Sequence, residues 1–213
     1  MVNTSVIIRN KNEATHIGLA IQSVLDHVPN SEIIVVDNNS TDDSLDVVKL
    51  FNFADIRVVK LLDSYSPGRA INHGAKGSVG DHVLVLSAHA QITKWDQVDV
   101  NASLQKHCAV FGHQTPIYRG KKITPRYIWS HFKDQSEVDM YSFSERRQFL
   151  HNAFAVYNRQ FLLKNPFDEK LSGKEDRYWA EDIVKAGNTY LYDPTLKCNH
   201  YWTPNGATWK GIG

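Results

Sequence analysis

The sequence predicts one α/β domain built on a mostly parallel central sheet flanked by helices, and three observations predict it. Short β-branched runs alternate with segments whose apolar residues recur at helical spacing, the pattern of strands joined by crossover helices. The chain's 213 residues suffice for one such domain with a sizeable core. The early strands also stop abruptly at polar clusters, and in sheets of this kind ligands bind beyond the carboxyl ends of the strands.

Ser5 to Ile8 is the first strand, and it runs into the polar segment Arg9-Asn10-Lys11-Asn12-Glu13. Ile17, Ala20, Ile21, Val24 and Leu25 then mark the buried face of a helix. Glu32 to Val36 is the second strand; it halts at Asp37-Asn38-Asn39-Ser40, after which Leu45, Val48 and Leu50 predict a second helical face. Ile56 to Leu61 gives a third strand. Ser66-Pro67-Gly68 opens a helix running to Gly77, and His82 to Leu86 is a fourth, very apolar strand followed by Ser87 to Gln91. Further on, 93–99 reads as a loop or short helix, Ala109 to His113 as a strand, and 117–147 as a variable insertion rich in charge and aromatics. Order returns with a strand from Ala153 to Tyr157, a short helix to Lys164, the acidic Gly173-Lys174-Glu175-Asp176, a helix to Ala186 and a strand from Thr189 to Tyr192.

Composition narrows the partners. Lys plus Arg number 24 against 23 Asp plus Glu, a net charge of +1, so there is no electrostatic footprint for nucleic acid. The two cysteines, Cys108 and Cys198, form neither a close metal or redox pair nor a disulfide framework, which fits a reducing, cytoplasmic setting. No secretory signal or membrane-spanning stretch is expected, leaving peripheral association at the inner face of a membrane as the only membrane role.

Four segments in order resemble the family 2 glycosyltransferases, which are inverting enzymes with the GT-A fold, a Rossmann-like α/β sheet. They are Ser5-Val-Ile-Ile-Arg-Asn-Lys-Asn-Glu13, Glu32-Ile-Ile-Val-Val-Asp-Asn-Asn-Ser40, Gly68-Arg-Ala-Ile-Asn72 leading into Gly80-Asp-His-Val-Leu-Val-Leu86, and Pro166-Phe-Asp-Glu through Gly173-Lys-Glu-Asp176. The resemblance spans Ser5 to about Trp202. It implies one domain over 1–213, with a nucleotide-binding half at 1–92 and an acceptor-binding and catalytic half at 93–213.

The resemblance implies a nucleotide-sugar donor held by Asn10, Glu13, Asp37 and Ser40, with Arg69 on the diphosphate. Asp37 and Ser40 equally suit the capping of the next helix, and Arg69 equally suits a solvated surface. Asp176 is the implied base that takes the acceptor hydroxyl's proton, with Glu175 beside it. The same pair suits an acidic helix N-terminus. Trp179, one turn on, would stack on an acceptor sugar or fill the core.

One motif departs from the family. Where Asp-x-Asp is usual, this chain has Ser87-Ala88-His89, so Ser87 faces the donor without a carboxylate and His89 stands in the second position. Related GT-A enzymes use Asp-x-His, and a late histidine, here His200, can reach the same ion. A His89 and His200 site implies Mn²⁺ rather than Mg²⁺. The reading is therefore an inverting transferase making surface polysaccharide or another glycoconjugate on a glycan, lipid-linked or protein acceptor. Its rivals are a metal-independent enzyme using a CMP-linked sugar and a catalytically silent GT-A binding module. A dinucleotide or methyl-transfer Rossmann enzyme is disfavoured, since 9–15 contains no glycine.

Overall fold

A computed structural model describes residues 2–62, 64–122 and 128–209, so part of the expected 117–147 insertion, residues 123–127, lies outside the described residues. The elements follow the expected alternation through β1 (Thr4–Asn10), α1 (Ile17–His27), β2 (Ser31–Asp37), α2 (Ser44–Lys49), β3 (Ile56–Lys60), α3 (Pro67–Gly77) and β4 (His82–Ser87). Then come β5 (Ala90–Lys94), α4 (Gln97–Leu104), β6 (Ala109–Tyr118) and the short strands β7 (Lys121–Lys122), β8 (Glu137–Val138), β9 (Tyr141–Ser142) and β10 (Arg147–Gln148). β11 (Phe154–Asn158), α5 (Arg159–Lys164), α6 (Glu175–Lys185) and β12 (Tyr190–Tyr201) complete the sequence of regular elements, apart from short 3₁₀ turns at Trp129–His131 and Ala207–Trp209.

The main sheet has the order β3-β2-β1-β4-β11-β6-β12-β5. β3, β2, β1 and β4 are parallel, and β12 is parallel to β6. β11 and β5 run against their neighbours. That reversal matters for function, because it brings the start of β11 and of β5 to the edge where β1, β2, β4 and β12 end.

Both faces of the sheet are covered, which is why the strands read as continuous apolar runs. Ile7, Ile34, Val36, Val83 and Val85 pack on one face with Ile71 of α3, Leu162 of α5 and Ile183 of α6. Val6, Ile8, Val35, Leu84 and Leu86 pack on the other with Ile17, Ile21 and Val24 of α1 and Val48 of α2. β3 is the edge, and its Arg57, Val58 and Lys60 are exposed; charged side chains there discourage pairing with another chain.

Several expectations change. The 93–99 stretch is not one loop: a tight turn after Ser87 returns as β5, whose Ala90 and Ile92 are buried, and α4 begins at Gln97 with Asp96 capping it through Val98 N and Asp99 N. The last strand does not stop at Tyr192. It continues to Tyr201 through a register shift between Asp193 and Lys197, where Asp193-Pro194 interrupts the apolar pattern without ending the pairing. Leu50 lies outside α2 and is 73% exposed rather than part of a buried face.

Two of the four resembling segments turn out to clasp each other. Asn72 of α3 donates Nδ2–H to Phe167 O at 2.9 Å and to Glu169 Oε1 at 3.1 Å, and its Oδ1 accepts from Phe167 N at 3.0 Å. Gly68 allows the approach, since a Cβ there would sit 2.8 Å from Asp168 O. The clasp fixes the loop that leads into α6. Asn72→Ala is expected to lower the unfolding free energy by about 2 to 3 kcal/mol, because it strands a buried amide and carbonyl. Urea unfolding measures this, and a loss below about 0.5 kcal/mol would show that the clasp adds nothing.

Candidate active site

The carboxyl edge of the sheet opens into a cleft of about 430 Å³. Its lining comes from distant parts of the chain: Arg9 and Asn10 at the end of β1 with Glu13 beyond it, Ser87 at the end of β4 with His89 beyond it, Asn152 before β11, Glu175 and Asp176 at the start of α6, and Asn205, Gly206 and Thr208 after β12.

Beneath the donor side, Asp37 is fully buried and organises two loops. Its Oδ1 accepts from Asn10 Nδ2 at 2.8 Å and Ser40 Oγ at 2.6 Å, and its Oδ2 accepts from Ser40 N at 3.0 Å. Ser40 Oγ in turn accepts from Asn12 N at 3.0 Å. Neither residue caps α2, whose N-cap position is Asp43. Asn12 and Asn39 hold left-handed backbone at φ 53° and 52°, a conformation asparagine tolerates in tight loops. Asn10 and Glu13 thus reach the cleft, whereas Asp37 and Ser40 support it from below.

Glu13 is the hub of the other wall. Its Oε1 lies 3.1 Å from His89 Nδ1 and accepts from Thr203 Oγ1 at 3.1 Å, while Oε2 lies 3.8 Å from His16 Nδ1. Burial pushes this carboxyl up, but hydrogen bonds from His16, His89 and Thr203 outweigh it and hold it below the usual carboxylate range. Since a carboxylate only accepts, His89 Nδ1 carries the proton and Nε2 keeps its lone pair.

His200 has the same arrangement, with Nδ1 facing Gln114 Oε1 at 2.9 Å and a buried Nε2 without a partner among the described residues. Burial, then the nearness of the titratable rings of His89 and His151 and of the Arg9 guanidinium, disfavours the charged form and holds its pKa well below the ordinary value, so the ring is neutral. The His89 and His200 rings stack with centroids 5.0 Å apart. Two imidazoles oriented through Nδ1 would present Nε2 as nitrogen ligands to a divalent ion such as Mn²⁺, which takes its other ligands mainly from oxygen. The fit is limited to those two nitrogens: among the described residues no group of three or more His, Cys, Asp or Glu can hold an ion. His151 is oriented the opposite way. Its Nδ1 accepts from Ala153 N at 3.2 Å, which puts the proton on Nε2, near Thr208 Oγ1 at 3.4 Å.

The acidic pair sits at the N-terminus of α6, entered through Lys174 at φ 59°. Asp176 Oδ2 accepts from Asn152 N at 2.9 Å and Arg177 Nη1 at 3.0 Å, and Oδ1 accepts from Arg177 N at 2.9 Å. Glu175 Oε1 accepts from Asn152 Nδ2 at 3.2 Å and Arg9 Nη1 at 3.4 Å. Burial, reinforced by the charge of Asp176, raises the Glu175 carboxyl, and Arg9 pulls it back. Asn152 therefore ties both carboxylates together, and Tyr157 Oη donates to its Oδ1. Sequence reading missed Asn152, as its only signal was its place immediately before a strand.

Two expected site residues lie elsewhere. Trp179 is 5% exposed, packs among Tyr157, Phe161 and Phe167, and donates Nε1–H to Asn165 O at 2.7 Å, so it is a core residue with no face for an acceptor. Arg69 points into a separate groove, where Nε pairs with Glu169 Oε2 at 3.0 Å and Nη1 donates to Ser64 Oγ at 2.7 Å. Its Nε and Nη1 donors are engaged there rather than in the cleft.

The model of the family described as "Glycosyl transferase family 2" matches residues 5–166. Among solved structures, residues 1–349 of S. aureus TarS in complex with UDP-GlcNAc are 19% identical, with a TM-score of 0.72 over 100% of this chain and 62% of that one. GalNAc-T7 with UDP, GalNAc and Mn²⁺ is 17% identical, with a TM-score of 0.75 over 97% and 45% of the two chains. The mannosyltransferase PcManGT from Pyrobaculum calidifontis, in complex with GDP-Man and Mn²⁺, is 18% identical, with a TM-score of 0.69 over 96% and 58%. The chain thus spans about 60% of the TarS fragment and under half of GalNAc-T7. No curated protein matches the sequence.

Proposed function

This chain belongs to glycosyl transferase family 2, and from that premise we propose that it moves a sugar from a nucleotide-activated donor to an acceptor hydroxyl with inversion. The observation that supports this most is the convergence of Glu175 and Asp176 with the strand-end residues Arg9, Asn10, Glu13, Ser87 and His89 around one cleft. An inverting transfer needs a base on one side of the anomeric carbon and a leaving nucleotide on the other, and the cleft offers carboxylates facing strand ends.

Asn10 and Glu13 take the nucleotide side, on loops that Asp37 and Ser40 hold in shape. Asp176 accepts the hydroxyl proton. Its oxygens accept from Arg177 Nη1 and from the backbone N–H groups of Asn152 and Arg177, which fix the carboxylate at the cleft. Nε2 of His89 and His200 would hold Mn²⁺, whose chemistry is to neutralise charge on the donor's phosphates. The acceptor is a glycan, lipid-linked saccharide or protein in surface polysaccharide or glycoconjugate assembly on the cytoplasmic side. The buried free thiols Cys108 and Cys198 suit that reducing compartment, and no helix among the described residues is long and apolar enough to cross a membrane.

The test is a thermal-shift screen with UDP-GlcNAc, GDP-mannose and CMP-linked sugars, followed by NMR of the product's anomeric configuration. A donor that binds the folded state should raise the midpoint with concentration. No shift with any nucleotide would leave a silent module as the better reading, and retention of configuration would remove the single-displacement mechanism.

A further inference from the structure

Arg9 stands out in the cleft because its hydrogen-bonding capacity is so poorly used. Nη1 reaches Glu175 Oε1 and Nη2 reaches Asn152 O, each at 3.4 Å, and buried Nε has no partner among the described residues. A guanidinium has five N–H donors in a planar fork, and an under-satisfied one at a ligand-binding edge is costly unless something else occupies it. Its side chain is 16% exposed, hence reachable from the cleft. The other cations of the lining have closer partners at their terminal nitrogens, although the buried Nε of Arg177 also lacks one among the described residues. Arg177 donates to Leu150 O and Asp176 and pairs with Glu145 at 3.7 Å, Lys174 pairs with Glu145 at 3.2 Å, and Lys11 donates to Asn39 O at 2.5 Å.

Register supplies the second, independent observation. β1 and β4 are parallel with Arg9 opposite Ser87, so the two side chains leave the same face at the ends of adjacent strands. Both line the cleft. The neutral hydroxyl at 87 supplies no carboxylate to the Arg9 charge on that side, and Glu175 is its one ion-pair partner among the described residues.

Resting on the donor reading above, we propose that Arg9 binds the leaving phosphate of the nucleotide sugar and supplies its neutralising charge directly. As the C–O bond between the anomeric carbon and the phosphate breaks, the electron pair stays on the phosphate oxygen, and the Arg9 N–H groups meet that charge without transferring a proton. The guanidinium suits a paired-oxygen anion through charge-assisted, bidentate hydrogen bonds. Nucleoside diphosphate then binds with a divalent ion absent.

The experiment is calorimetry of the full chain with UDP, GDP and CMP in excess EDTA and in Mn²⁺, for wild type, Arg9→Gln and Arg9→Lys. Wild type should bind one of the three in EDTA, Arg9→Gln should weaken that binding about tenfold or more, and Arg9→Lys should fall between, since it keeps charge but not the fork. A second readout checks that the variant keeps a folded site: the Glu175 carboxyl, followed by NMR, should titrate at higher pH in Arg9→Gln, because Arg9 lowers its pKa. Equal binding by Arg9→Gln and wild type in EDTA, or wild-type binding only in Mn²⁺, overturns the proposal. Absence of wild-type binding under both conditions, for UDP, GDP and CMP alike, instead sinks the donor reading on which it rests. If Arg9→Gln does not fold, Arg9→Lys with undiminished affinity is the overturning result.

Discussion

Asp176→Asn lowers the rate of transfer by about two orders of magnitude or more while leaving donor affinity nearly unchanged. The amide keeps the shape of the carboxylate, but with a single oxygen it can accept from only one of Asn152 N and Arg177 N. What it loses is the ability to take a proton. The paired variant Glu175→Gln should cost less, since Glu175 contacts Asn152 and Arg9 rather than serving as the acceptor's base. A pH profile carries a sign that checks the pairing. Asp176 raises the Glu175 carboxyl, so removing its charge moves the Glu175 titration to lower pH. Near-normal turnover in Asp176→Asn, with a large loss in Glu175→Gln, would transfer the base to Glu175.

The alternation of strands and helices through β4 was legible because each strand there is buried on both faces and each helix shows one apolar stripe. β5 was not, because Ala90-Gln-Ile-Thr-Lys94 is short and only Ala90 and Ile92 are buried. The far half of β12 alternates buried and exposed residues beyond Asp193-Pro194, a dipeptide that locally reads as a turn. Missing these strands obscured why His89 and His200 meet, since β5 and β12 pair antiparallel with His200 opposite Ala90.

Among site residues, the Glu175-Asp176 pair and Glu13 were legible as carboxylates at the ends of elements. Arg69 and Trp179 show the limit of that reasoning. A cation in the first turn of a helix looks functional until Glu169, 100 residues away, is found to claim it. An aromatic one turn from an acid looks accessible until the helix is rotated into place, and α6 turns Trp179 inward. Arg9 was hidden for the opposite reason: it lay inside a polar run whose spacing gave no reason to prefer it over Lys11. Only the register with Ser87 and the unused donors single it out.

Mn²⁺ is expected to bind weakly by itself and well in the presence of a nucleoside diphosphate, and Glu13→Gln is expected to lower that second affinity by about 10 to 100-fold. Among the described residues His89 Nε2 and His200 Nε2 have no third His, Cys, Asp or Glu placed to complete a site, so the remaining positions around the ion would fall to phosphate oxygens and water. Ion and nucleotide must then raise each other's affinity by the same factor. Glu13 contributes from one step out: by accepting the Nδ1 proton of His89 it fixes the tautomer that leaves Nε2 free, and its charge makes the imidazole a better donor. Glutamine keeps the length but not the charge, so the loss in Mn²⁺ affinity should exceed any loss in UDP or GDP binding measured in EDTA, which the Arg9 proposal assigns mainly to the guanidinium. Calorimetric titration of Mn²⁺ into the protein with and without UDP or GDP reads both quantities. Transfer at full rate in excess EDTA removes the ion from the reaction, and in that case Arg9 beside Ser87 makes a metal-independent donor the better reading.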